Sequence, residues 1–400
     1  MIKKPELLAP AGDLEKLKWA ILYGADAVYT GGPLLGLRAN AKNLTFEELE
    51  EGCRFAHERG KRVHVTVNIV LHNQEVDEVA SYVKKLEQIG VDAVIVSDPA
   101  IVKIVHETTH LEIHLSTQQS TLNKKAAEFW YKQGVKRIVL GREATKTDIK
   151  AIRDAVPVDI ECFIHGAMCA GMSGRCVLSN FLTGRDANRG GCSQICRWDF
   201  KLLEDAKELS GDSDFTLCSK DLSNLETLPE MIDLGITSFK IEGRMRSIYY
   251  IATVVDIYRR AIDEYCNNPK EYQYNKSYEM ILRNCANRDS VPQFFNFVND
   301  ESIGYYNGRV ELSNQDFLGV VLAYDPETKL AYIEQRNYIK LGDQIEIFGP
   351  NKETKSTIVT ELYDEEKKAI DVVRHPKQHF YMKIGLDVQE FDLIRIDRTK

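Results

Sequence analysis

Short β-branched, apolar runs recur through the first two-thirds of the chain, each followed by a stretch whose apolar positions fall at helical spacing. The runs cover residues 6–9, 26–30, 62–68, 93–97, 112–116, 137–141, 158–165 and 237–242, and amphipathic helices are predicted over 13–23, 45–58, 75–88 and 124–133. Asp13 suits the N-cap of the first helix, because its carboxylate can accept from a free backbone N–H. Thr45, with Glu48 three residues on, reads as a capping box. Gly24, Gly60, Gly90 and Gly134 each follow a helical stretch, where a C-cap calls for positive φ. Eight strand–helix units predict an α/β fold, a TIM-type (β/α)8 barrel. The runner-up, an open doubly wound sheet, lacks its nucleotide fingerprint, since Leu8-Ala9-Pro10-Ala11-Gly12 does not have the glycine spacing.

The seventh unit is irregular. About seventy residues separate its strand from the eighth, against the few tens that a βα unit needs. The excess falls on the side where barrel active sites are built. After a last helical pattern, a polar segment rich in Tyr and Asn leads into short alternating strands at 318–324, 330–336, 344–348, 357–362, 369–373 and 393–396, bounded by turns such as Asp325-Pro326 and Gly349-Pro350. The predicted organisation is a barrel over 1–268 with a cysteine-rich insert at about 166–220, a connecting segment over 269–315 and a small C-terminal all-β barrel over 316–400.

A net charge of −8 argues against coating by nucleic acid, though not against a local basic surface. No apolar stretch reaches the length of a signal core or a membrane span, so a cytoplasmic location is expected. In a reducing compartment, nine cysteines point to metal binding or catalysis rather than disulfides. Cys169, Cys176, Cys192 and Cys196 lie among five glycines that let the backbone turn tightly. Soft thiolates suit an iron–sulfur cluster or zinc. The gap between Cys169 and Cys176 is long for a zinc knuckle, and four plain buried thiols are the bland reading.

At these residues the sequence is familiar. Glu161-Cys162-Phe163-Ile164-His165-Gly166-Ala167-Met168-Cys169, followed by Gly174-Arg175-Cys176-Val177-Leu178-Ser179, resembles the signature of the collagenase-like peptidase family U32. Asn188-Arg189-Gly190-Gly191-Cys192, Cys196-Arg197-Trp198 and Phe239-Lys240-Ile241-Glu242-Gly243-Arg244 resemble its later blocks. The opening Pro5–Gly12 stretch and Arg374-His375-Pro376 extend the resemblance over nearly the whole chain. One segment departs from it: Arg288-Asp289-Ser290-Val291-Pro292-Gln293 stands where the family has a glycine-containing stretch before an aromatic pair, here Phe294-Phe295. The resemblance implies a [4Fe–4S] cluster on Cys169, Cys176, Cys192 and Cys196 and oxygen-independent hydroxylation. Implied substrates are a tRNA wobble uridine, with prephenate as donor, a ribosomal RNA cytidine or a ubiquinone precursor. The separate β domain makes the tRNA branch the nearest match. A peptidase and an RNA-binding protein with a structural metal site, zinc included, stand as alternatives. A second family member as partner is a further expectation.

The strand ends supply the remaining candidates. His165, Glu161 and Lys240 are expected to act in catalysis, with Glu161 on the same strand face as His165 and either an acid–base group or a buried partner of an Arg. Arg38, Asn68, Gln118, Arg142, Glu242, Arg244 and Arg246 are expected to bind substrate. Arg175, Arg185, Arg189, Arg197 and Lys201, together with Lys240, Arg244, Arg246, Arg259 and Arg260, are expected to form one basic rim for tRNA phosphates, or else an ordinary solvated face.

Overall fold

The computed structural model describes residues 3–37, 43–205, 207–208, 215–286, 288–296, 300–305, 315–350 and 352–397. Eight parallel strands form the barrel: β1 (Glu6–Pro10), β2 (Ala27–Gly31), β3 (Arg62–Val67), β4 (Ala93–Val96), β5 (Glu112–Leu115), β6 (Arg137–Val139), β7 (Asp159–Gly166) and β8 (Ser238–Ile241). Each pairs with the next, and β8 pairs with both β7 and β1, which closes the ring. The open-sheet alternative is therefore excluded.

Helices α1 (Leu14–Leu22), α2 (Phe46–His57), α3 (Asn73–Gln88), α4 (Pro99–Thr108), α5 (Lys124–Lys132) and α6 (Lys146–Ala155) follow the first six strands. The predicted caps form: Asp13 accepts from the Lys16 N–H at 2.9 Å, and Thr45 and Glu48 make a reciprocal capping box. In the long excursion after β7 come α7 (Leu178–Thr183) and α8 (Leu228–Asp233). Then α9 (Ile248–Asn267) follows β8 and packs against α1, α8 and β1, and α10 (Lys276–Cys285) packs on α9. Apolar side chains between strands and helices make one continuous core.

The C-terminal domain is antiparallel. Its eight-stranded sheet contains β9 (Gln315–Asp325), β10 (Leu330–Gln335), β11 (Gln344–Phe348), β12 (Lys355–Ile358), β13 (Leu362–Tyr363), β14 (Ala369–Ile370), β15 (His379–Lys383) and β16 (Leu393–Asp397), in the order β12-β11-β16-β9-β10-β15-β13-β14. Two expected strands divide here: 357–362 becomes parts of β12 and β13, and Val372–Val373 leaves β14 to pair with Ile339–Lys340. β15 was not expected at all. The barrel and the β domain meet through rings: Tyr249 stacks on Phe317 at 5.2 Å, and Trp19 meets Phe391 edge-on at 5.4 Å. Among the described residues, no helix is long and apolar enough to cross a membrane.

Candidate active site at the barrel mouth

Side chains alternate in and out along a strand, so Glu161 and Phe163 of β7 both face the barrel interior. There Glu161 is 0% exposed and fully engaged. The Lys240 ammonium donates to Oε1 at 2.8 Å, and Arg137 Nη1 and Ser238 Oγ donate to Oε2, each at 3.2 Å. Arg137 also grips Glu6 from the start of β1. Burial pushes the Glu161 carboxyl up, but Lys240 and Arg137 together outweigh it and hold it down at about 2. Lys240 points inward, 4.4 Å from the centre of the Tyr29 ring. The expected catalytic roles of Glu161 and Lys240 are thus not what the geometry supports. The two form a closed ion network in the barrel's interior, the buried-partner option for Glu161. Beside them His64 and His114 meet edge to face at 4.7 Å, and burial pushes both imidazoles below their usual range.

His165 does not share a face with Glu161. The β7–β8 register slips between Lys240 and Ile241, so Ile164 is the extra residue of a bulge and the alternation reverses beyond it. The His165 ring turns toward α9, 5.5 Å from Tyr258 and 5.9 Å from Tyr250, with Nδ1 at 3.4 Å from the Tyr258 hydroxyl. Burial, aided by the charge of Arg246, pushes the imidazole down to about 3. It is neutral at working pH.

Other candidates do gather at the C-terminal ends of the strands. Asn68 caps β3, accepts from the Leu37 N–H at 3.3 Å and lies 3.5 Å from the Ser116 hydroxyl. Arg142 lies over the Phe163 ring at 3.7 Å and reaches Glu242 across the opening at 3.5 Å. Arg244 is buried, donating to Thr66 at 3.2 Å and Asn43 at 2.8 Å, so it ties β8 to β3 and the loop before α2. Gln118 sits in the turn after β5, and Arg246 pairs with Asp221 at 3.5 Å. Arg38 lies outside the described residues. Ser116, a strand-end residue that the sequence also places at the rim, is there beside Asn68, whereas sequence reasoning missed Thr66, which strand alternation could have found. It also missed Asp221, which carried no signal.

The predicted basic rim comes apart. Arg259 pairs with Asp26 and Asp263, and Arg260 pairs with Asp256 and donates to the Lys352 carbonyl at the domain boundary. Lys240 and Arg244 are buried. What remains around the insert is Arg175 and Arg185, exposed, with Lys201 exposed but paired with Glu208, Arg189 held by Glu75 and Arg197 half-buried.

The cysteine segment spans the mouth because three loops anchor it. After β6, the Ser173 N–H donates to the Glu143 carboxylate at 2.9 Å and Ser173 Oγ accepts from the Arg142 N–H at 3.4 Å. Arg175 donates to Ser120 after β5 at 3.3 Å. Arg189 binds Glu75 and the Val70 carbonyl after β3. Gly174 (φ +73) presses so closely on this platform that a Cβ would lie 1.9 Å from the Gln118 carbonyl oxygen. The segment returns as a short strand, Asp221–Ser223, that pairs with the end of β7 at His165 and Gly166.

Among the described residues, no three His, Cys, Asp or Glu side chains are gathered closely enough to hold a metal ion as they stand. The thiols nevertheless share one neighbourhood. Cys196 is raised above the usual thiol range by burial and by the charges of Cys169 and Cys192, against a bond from the Ala170 N–H. A Cβ on Gly171 would lie 3.4 Å from Cys176 Sγ. Residues 169–171 therefore touch on both Cys196 and Cys176, and the donors are four soft thiols. The set fits a thiolate-ligated metal group once the side chains turn inward.

A closed (β/α)8 barrel with a thiol-rich segment strapped across its mouth, and an antiparallel β domain docked beside it, defines the structural class. The chain belongs to the family described as Peptidase family U32, which matches residues 12–303, and the Peptidase family U32 C-terminal domain matches 313–395. It is 44% identical over 400 residues to the tRNA hydroxylation protein P1 of Bacillus subtilis, covering 98% of this chain and 95% of that one. It is 41% identical over 258 residues to the 23S rRNA 5-hydroxycytidine C2501 synthase of Escherichia coli, covering 64% of this chain and 39% of that one. It is 31% identical over 360 residues to a collagenase of Porphyromonas gingivalis, covering 86% of each.

Proposed function

We propose that this protein is an RNA-hydroxylating enzyme, and specifically that it forms 5-hydroxyuridine at the tRNA wobble position with prephenate as donor, independently of oxygen. The observation that carries the reading is the cysteine segment held over the mouth by the loops that also bear Asn68, Gln118 and Arg142. The names of the Bacillus subtilis and Escherichia coli relatives support RNA as the substrate. Cys169, Cys176, Cys192 and Cys196 would hold a [4Fe–4S] cluster, which when bound supplies electron transfer or fixes the segment. The chain's own part is positional. Asn68 and Ser116 offer donors and acceptors to a base edge, and Arg142, balanced against Glu242, offers a guanidinium to an anionic group.

The test has two arms. Anaerobically purified protein should contain about four iron and four sulfide per chain, lost when any of the four cysteines is replaced by Ser. tRNA from a deletion strain should lack the modified wobble nucleoside, and only the wild-type gene, not a Cys192→Ser variant, should restore it. One zinc per chain without sulfide refutes the cluster. Unchanged tRNA and rRNA nucleosides, with gelatin cleavage by the pure protein, would move the reading to the peptidase suggested by the Porphyromonas relative's name.

A further inference from the structure

A cavity of about 240 Å³ lies in the β domain, walled by the end of β11, by Gly349, Lys352 and Glu353, and by the loop that leads into β16. None of its lining residues belongs to the barrel mouth or the cysteine segment. It borders the barrel elsewhere. The Phe391 carbonyl, next to Asp392 of the cavity wall, accepts from the Tyr23 hydroxyl at 2.8 Å, and the Lys352 carbonyl accepts from Arg260. Tyr23 closes α1, which runs back from the mouth, so the cavity lies toward the barrel's opposite end.

The lining combines apolar and charged groups. Ile347, Phe348 and Val388 are buried and Leu386 is half-buried, a surface suited to a short hydrocarbon stem. Asp392 is 1% exposed. Its Oδ2 accepts from the Gln389 N–H at 2.9 Å and from the Lys352 ammonium at 3.3 Å, whereas Oδ1 has no hydrogen-bond partner among the described residues. Oδ1 lies against Gly349, where a Cβ would come within 1.8 Å of it, so a side chain at 349 would displace the carboxylate from the wall. Burial pushes the Asp392 carboxyl up and Asp387 adds to this, which Gln389 and Lys352 do not fully offset. A buried carboxylate oxygen without a donor is costly to keep unless something donates to it at least part of the time. With the rim included, Asp392, Glu353 and Asp387 face Lys352 and Lys355, three carboxylates to two ammonium groups.

We propose that this cavity binds a small organic cation, a primary ammonium or guanidinium on a short apolar stem, whose N–H groups bond Asp392 while the stem lies on Phe348, Leu386 and Val388. Such a cation supplies both the donor and the positive charge that Asp392 lacks, and hydrogen bonds between ionised partners are the strong ones. The cavity's size, under the ~300–1,000 Å³ typical of drug-sized ligands, suits a head group with a few carbons. An occupant also braces the domain contact, because Lys352 and the residue beside Asp392 both hold the barrel. The site is independent of the chemistry at the mouth.

Titration calorimetry on anaerobically purified full-length protein tests it, with butylammonium and butylguanidinium as separate probes. Butanol, which lacks the charge, and butyltrimethylammonium, which lacks the N–H donors, are the controls. At least one probe should saturate at millimolar concentration or below, and both controls should bind about tenfold more weakly or less. Tighter binding of one probe assigns the head group. Asp392→Asn should weaken that probe about tenfold or more, and Lys352→Met should tighten it, because the competing ammonium is gone. If Asp392→Asn fails to fold, Leu386→Trp, which fills the cavity from its half-buried side, should abolish binding instead. A merely structural Lys352–Asp392 pair predicts a lower melting temperature in both single variants and no saturable binding by the wild type. That pattern, butanol binding as tightly as the probes, or probe affinity unchanged in Asp392→Asn or Leu386→Trp overturns the proposal.

Discussion

Replacing Lys240 by Met should destabilise the barrel before it affects chemistry. Glu161 is wholly buried, and the charges around it hold its carboxyl at about 2 instead of 4.5. A difference of that size corresponds to about 3 kcal/mol of interaction favouring the ionised form in the fold. Removing one partner of a buried ion pair costs about 3–5 kcal/mol by a separate route, since the surviving carboxylate is left undercompensated. Both lines agree on scale. Each kcal/mol shifts the melting temperature of a domain this large by about 2–4 °C, so Lys240→Met should melt roughly 6–20 °C lower. The pH dependence carries a sign. A carboxyl depressed in the fold contributes stability above its unfolded value near 4.5, and that contribution fades as pH falls toward about 2. The wild-type urea midpoint should therefore drop on acidification through this window, and the drop should be smaller in Lys240→Met. Adding Glu161→Gln to Lys240→Met should recover much of the loss, because no buried charge is then stranded. A single variant that melts within about 2 °C of wild type, yet is inactive, would refute the argument and return Lys240 to the chemistry.

Gly174→Ala should dislodge the cysteine segment, because a Cβ cannot fit 1.9 Å from the Gln118 carbonyl; metal content should fall while the circular dichroism of the barrel is kept, and full metal loading would contradict this. His165→Gln should leave the pH–rate profile between about pH 5 and 8 unchanged, since an imidazole pushed down to about 3 by burial does not titrate there; disappearance of an inflection near neutrality would show that His165 protonates in the working enzyme. Reversing Arg175 and Arg185 to Glu should weaken RNA binding several-fold and flatten its salt dependence, as measured by filter binding over a salt series, because both are exposed beside the cysteine segment; an unchanged salt slope would place the RNA elsewhere.

The barrel was legible because its strands and helices repeat with clean periods and clear caps, and the insert was legible because it broke that rhythm. What the sequence hid were choices made by ring closure. Glu161 finds Lys240, Arg137, Ser238 and Glu6 only when β8 lies between β7 and β1, and these residues are scattered from one end of the barrel sequence to the other. The bulge at Ile164 was equally hidden, since nothing in Phe163-Ile164-His165 marks a slipped register, yet it moves His165 to the other side of the sheet. In the C-terminal domain, β15 escaped notice because only Phe380 and Met382 of its five residues turn fully inward, between His379, Tyr381 and Lys383. The predicted strand at 357–362 was overextended because Ile358 reads as core but is 56% exposed on β12, at the sheet's edge.

The position of the cysteine segment follows from β7 itself. At eight residues it overruns its neighbours, pairing with β6 and β8 along its length and with Asp221–Ser223 at its end. The excursion therefore leaves and re-enters the sheet at the same strand, and both ends of the thiol segment are fixed before any ligand binds. Its middle is held by the loops after β3, β5 and β6, through Val70 and Glu75, Ser120 and Gln118, and Glu143. Those loops begin at Asn68, Gln118 and Arg142, the side chains that line the opening. Drawing the four thiols inward around a metal group must pull on the same anchors, and a ligand that moves Gln118 or Arg142 must press back on the segment through Gly174 and Ser173. On the proposed function, metal occupancy and substrate affinity should therefore be linked, and reciprocally: whatever factor the metal adds to substrate affinity, substrate should add to metal affinity, and equal substrate affinity in metal-loaded and metal-free protein would refute it.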